Sequence, residues 1–113
     1  MVSVAVALLV GCTSLPQNTN QHRINLSIQN DSWEASRVRV YCGEGTRIIN
    51  INGLGFVQKT DRSIAIPAHC KSIQLLVMGH GLESWSEPRM VISHERVCAR
   101  INSLMQTEWS IGC

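Results

Sequence analysis

Ile24-Asn25-Leu26-Ser27-Ile28-Gln29 alternates apolar and polar residues one for one, and that period decides the fold. A chain that changes face at every residue puts Ile24, Leu26 and Ile28 on one side of a β-strand and the polar residues on the other. Downstream, Asn30-Asp31-Ser32 is a turn cluster, and Val38, Val40 and Cys42 then alternate with Arg37, Arg39 and Tyr41. Gly43-Glu44-Gly45 predicts a tight hairpin turn, after which Ile49 and Ile51 share a face. Gly53 and Gly55 bracket Leu54 and predict a kink or bulge, with Phe56-Val57-Gln58 continuing the strand. Ser63–Ile66 stops at Pro67, and Ile73–Met78 reads as the most buried strand, ended by Gly79-His80-Gly81. Met90–Ser93, Val97–Asn102 and Thr107–Ile111 complete the series.

About seven to eight short strands with turn residues between them predict an all-β chain. The architecture expected is a single small antiparallel β-sandwich, immunoglobulin-like or transthyretin-like, over residues 24–113. Residues 94–106 offer the best rival helix, with Val97, Ile101 and Leu104 at helical spacing. The alternation Val97, Ala99, Ile101 favours a strand there instead. Four landmarks are Asn30 with Trp33, Val40-Tyr41, Ile66-Pro67 and Ser86-Glu87-Pro88. Their order resembles that of small bacterial sandwich proteins that often carry lipoprotein signals. The resemblance implies the fold and transfers no function.

Composition narrows the function classes. The chain has 113 residues and a formal net charge of +2, with its ten basic residues scattered. Arg37, Arg39 and Arg47 come nearest to a cluster and read as a solvated strand face. Three Trp, one Tyr and one Phe are too few for a stacking platform on single strands, so no nucleic-acid partner is expected.

Upstream of the first strand, residues 2–10 form an apolar run broken by one serine. At about 1.5 Å per helical residue such a run is too short to span a membrane, but it suits a signal-peptide h-region. Leu9-Val10-Gly11-Cys12 closes it. This stretch resembles the lipobox of bacterial lipoproteins, with an apolar residue, two slim residues and the cysteine. The resemblance implies removal of residues 1–11, lipidation of Cys12 and a membrane anchored through it. Thr13, where an aspartate would favour inner-membrane retention, implies a cell-envelope address at the outer membrane. No Lys or Arg precedes Cys12, so a start codon further upstream is expected. Residues 12–23, polar and nearly free of apolar side chains, then form a lipidated N-terminus and flexible tether.

Assigning Cys12 to lipid leaves Cys42, Cys70, Cys98 and Cys113, an even number in a small exported domain. Two disulfides are expected, with three connectivities open. A hairpin turned by residues 103–106 would bring Cys98 opposite positions 112–113, leaving Cys42 to pair with Cys70. There is no CxxC pair to suggest a redox motif or zinc ribbon.

Catalytic chemistry is thin. His69, Cys70 and His80 match no metal-ligand spacing, and there is no Gly-x-Ser-x-Gly elbow. Glu83 and Glu87 flank Trp85 in a stretch that reads as a solvated loop, which disfavours glycosidase chemistry. No enzyme activity, metal or cofactor is expected. The working surface expected instead is the glycine-flexible segment 79–87, carrying His80 and Trp85, as a recognition loop for a protein partner. These features predict a non-enzymatic envelope module, structural or binding. The alternative is an inhibitor of a secreted hydrolase: Val38-Arg39-Val40-Tyr41-Cys42-Gly43 is similar to the Val-x-Tyr-x-Cys stretch of lipoprotein lysozyme inhibitors. The Ser-Gly-x-x-Tyr inhibitory motif of that family has no counterpart here.

Overall fold

A computed structural model describes residues 21–110, in which every regular element is a β-strand. In chain order these are β1 (Gln21–Asn30), β2 (Arg37–Cys42), β3 (Arg47–Asn52), β4 (Gln58–Pro67) and β5 (Ser72–Gly79). Then follow β6 (Leu82–Trp85), β7 (Arg89–Met90), β8 (Arg96–Ile101) and β9 (Thr107–Ser110). They form two sheets, ordered β4-β1-β8-β9 and β3-β2-β5-β6, with the short β7 pairing β5. The expected sandwich is therefore present, with nine strands where seven or eight were expected.

The period-two reading identifies the core. Ile24, Leu26 and Ile28 of β1 face Val38 and Val40 of β2 and Ile73, Leu75 and Val77 of β5 in one buried cluster. Ile51, Ile64, Ile66, Val97 and Ile101 complete it. Burying each such side chain contributes about 1.5–3 kcal/mol, and β-branched residues suit the pleated surface. Leu76 and Met78 have the opposite parity; they are buried on the outer face of their sheet and stand apart from the core cluster.

Three expectations need correction. The sandwich is not purely antiparallel, because β1 and β8 run parallel, with Asn25 opposite Arg96 and Asn30 opposite Ile101. Since β1 neighbours β4 and β8, not β2, the order also departs from the immunoglobulin arrangement, whose first two strands pair. The transthyretin-like alternative remains. Next, β1 starts at Gln21, three residues into the expected tether, because Gln21, His22 and Arg23 pair with Pro67, Ile66 and Ala65. The third concerns segment 79–87, where residues 82–85 are strand β6. Only His80 and Gly81 turn the chain between Gly79 and its partner Leu82. Both have positive φ, 50° and 75°, the signature of a two-residue hairpin turn.

The disulfide Cys42–Cys70 forms, joining the last residue of β2 to the connection between β4 and β5 across a sequence separation of 28 with Cα atoms 5.6 Å apart. Cys98 is disulfide-bonded as well. It faces Ser110 in the β8–β9 ladder, not positions 112–113. The Asn102 side-chain oxygen accepts from the Leu104 and Gln106 amides and fixes the turn between those strands. Cys113, like Cys12 and the other residues of the signal-peptide and tether readings before residue 21, lies outside the described residues.

Candidate recognition site

Strand direction sorts the connections to two ends. At the far end of β1 lie the β1–β2 loop (31–36), the β3–β4 loop (53–57), the β5–β6 turn and the β8–β9 turn. Gln21, the disulfide, the β2–β3 turn and residues 90–95 lie at the other.

Asn30 organises the first end. It is fully buried as the last residue of β1, and its side-chain amide donates to the carbonyls of Ala35 and Gly55, each at 3.2 Å. Its Oδ1 accepts from the Ser32 amide at 3.1 Å, and its backbone carbonyl accepts from the Val57 amide at 2.7 Å. One side chain thus joins the loop that follows it to a second loop 25 residues further along the chain from Asn30. Ser32, also fully buried, takes the amides of Glu34 and Ala35 on its Oγ. Backbone bonds add Asp31 N–H to Ile101 O, Ser36 N–H to Met78 O and Leu54 N–H to Ser36 O. The loop packs so closely that a Cβ on Gly79 would stand 1.6 Å from the Glu34 carbonyl oxygen, so only glycine fits.

On this frame stands an aromatic ledge. Trp33 is 75 % exposed and stacks on Phe56, with ring centroids 4.4 Å apart and planes inclined by 20°. Val57 beside it is exposed and has φ of 55°, a costly conformation for a β-branched residue. Leu104, on the β8–β9 turn of the same end, is exposed too. Large apolar side chains held out to water by buried polar scaffolding are a recognition feature, because the ordering cost is met before a partner arrives. At the same end, Ser36, Arg37, Gly53, His80, Leu82 and Glu83 line a concavity of about 390 Å³.

Charge anchors the end as well. Arg100 Nε donates to Asp31 Oδ2 at 2.5 Å and Gln29 donates to Oδ1 at 3.2 Å. The Arg100 hydrogen bond first, then that of Gln29, hold the Asp31 carboxyl below its ordinary range.

The structure separates the two residues expected to work together. His80 belongs to the loop end, in the hairpin turn. Trp85 lies further along β6, opposite Leu76, where its ring meets Tyr41 at 5.0 Å between centroids. It is 54 % exposed and belongs to the outer sheet face. Trp33, read from the sequence only as a landmark beside Asn30, is the one that carries the ledge. Its signal in the sequence was the Asn30-Asp31-Ser32 turn together with the glycine-bracketed Leu54.

Among the described residues, Cys42, Glu44 and His69 are grouped closely enough to hold a metal ion. The Cys42 sulfur is already bonded to Cys70, which leaves an exposed His69–Glu44 pair at 2.6 Å as the remaining donors.

No protein-family model matches the sequence, and no curated protein matches it. The fold is similar to the NMR structure of the protein from Eubacterium rectale, with a TM-score of 0.57 at 14 % identity over 80 % of this chain and 91 % of that one. A weaker likeness, TM-score 0.37 at 13 % identity, covers 80 % of this chain and 24 % of that one; it is to a disulfide locked mutant of intermedilysin with human CD59. What these comparisons establish is that the chain shares its β fold with a small bacterial protein.

Proposed function

We propose that this chain is a non-enzymatic, membrane-anchored lipoprotein of the bacterial envelope, held at the outer membrane by acyl chains on Cys12. Its β-sandwich is a binding module that presents the loop end to a protein partner. The observation that carries this reading is the course of β1. The strand begins at Gln21, just beyond the tether, and ends at Asn30, the residue that pins the ledge. Its ten residues span about 30 Å at roughly 3.3 Å each, so the ledge points away from the anchored end.

Two measurements test the reading. Intact mass after expression in a lipoprotein-competent host should show loss of residues 1–11 and a diacylglyceryl adduct on Cys12. A chain that retains residues 1–11 and carries no acyl group would remove the anchor. Assays against secreted hydrolases, lysozyme first, should show no inhibition; a nanomolar inhibition constant would replace the binding module with the inhibitor alternative.

A further inference from the structure

The tether end holds a second set of exposed apolar side chains. Met90 is 68 % exposed and Ile92 is 69 % exposed, while Val91 between them is buried. Their backbone is fixed: the Val91 amide donates to the Lys71 carbonyl at 3.0 Å, and the Ile92 amide donates to Glu95 Oε1 at 2.9 Å. The other oxygen of Glu95 pairs with Arg89 at 3.0 Å, so those two charges cancel while they hold the segment in place. Met90 and Ile92 rim a concavity of about 460 Å³ shared with Gln21, His22 and Lys71. Lys71 is exposed there. The surface is thus two outward apolar side chains beside an exposed cation.

Gln21 is also where the chain from Cys12 enters the fold, nine residues on (21 − 12 = 9). Nine residues of chain reach at most about 32 Å even when fully extended. The patch therefore lies within tether reach of any bilayer that holds Cys12. We propose that Met90 and Ile92 seat in the headgroup–acyl boundary of that bilayer, with Lys71 against anionic headgroups, so that the domain stands with β1 upright. This inference rests on the reading of Cys12 as the anchored residue. Two apolar side chains are too few to capture the protein from solution. An anchor that holds them at millimolar effective concentration makes a weak contact persistent.

The test couples the full chain through Cys12 to maleimide-bearing lipid in vesicles of phosphatidylcholine and phosphatidylglycerol at three to one. This fixes the anchor whether or not cells lipidate the residue, so failure of the patch and failure of the lipoprotein reading are distinguishable. Hydroxyl-radical footprinting then compares coupled and uncoupled protein. Met90 and Ile92 should label at least threefold more slowly when coupled, with Trp33 and Leu104 unchanged. Met90→Asp with Ile92→Asp should abolish protection of neighbouring Lys71 while circular dichroism stays that of the folded chain. Equal labelling of Met90 in both states would overturn the proposal. Protection already present without vesicles would overturn it too: at all concentrations it would mean that the N-terminal segment covers the patch, and only at high concentration that a second copy does.

Discussion

The two ends of this sandwich are fastened by different chemistry. The end where β1 starts is closed by a covalent bond, Cys42–Cys70, whereas the loop end is closed by buried hydrogen bonds radiating from Asn30 and Ser32. A disulfide limits how far two strand ends can part, yet it leaves the turns around it free to vary. A buried amide with three partners dictates the conformation of two whole loops. The difference teaches how shape is fixed: the end that holds Trp33 and Phe56 in one arrangement is the end built from directional bonds.

Breaking the covalent end should have the larger effect on stability. Cys42→Ala with Cys70→Ala releases a bridge of sequence separation 28, worth about 3.5 kcal/mol by loop-closure entropy. Urea denaturation should register that loss, with hydrogen exchange in loops 31–36 and 53–57 unchanged in the folded state. Asn30→Ala comes next. It strips partners from the Ala35 and Gly55 carbonyls and the Ser32 amide, at about 1 kcal/mol each, so a loss of roughly 2–3 kcal/mol is expected. Here exchange in both loops should accelerate well before global unfolding. If the two variants showed the same loop protection, the distinction between the ends would fail.

Val57→Gly sharpens the comparison with the opposite sign. Relief of a left-handed β-branched residue gains about 1–2 kcal/mol, and the added flexibility of glycine costs about 0.5–1 kcal/mol. A net stabilisation of up to about 1.5 kcal/mol is expected by thermal unfolding, although an exposed apolar side chain is lost. Destabilisation would mean that Val57 packs on the ledge more than its exposure indicates.

The smallest effect concerns pH and compares one carboxylate at each end. Asp31 is lowered chiefly by the Arg100 hydrogen bond. At Glu95, burial pushes the pKa up, but the Ile92 amide and the Arg89 guanidinium outweigh it and the net shift is downward. A folded pKa below the unfolded value means that each contribution is complete above the unfolded carboxylate range, near pH 4. Each is then lost as pH falls through the lower folded value. Carboxyl NMR titration should show Arg100→Gln raising Asp31 alone and Arg89→Gln raising Glu95 alone.

Much of the fold was legible because burial of one sheet face writes a local period into the chain. Ile24, Leu26, Ile28, Val38, Val40, Val97 and Ile101 could each be placed in the core from spacing alone. The parallel pairing of β1 with β8 could not, because no local pattern records which distant strand lies alongside. The β5–β6 hairpin was hidden by its turn residues. His80 takes the left-handed position that asparagine or aspartate usually fills, so the pair of glycines around it looked like a flexible loop. The ledge was hidden for a related reason: a tryptophan is ordinarily core or rim, and the loop that carries Trp33 is fixed by buried Asn30 and Ser32, whose bonds to a distant loop leave no local pattern.

The proposed division of labour between the ends is tested most directly by photo-crosslinking in the native envelope, with a benzophenone amino acid placed at position 33 or at position 92. Position 33 should yield a discrete protein adduct, and position 92 should yield lipid adducts without protein. A protein adduct at position 92 with none at position 33 would contradict the assignment of recognition to the loop end.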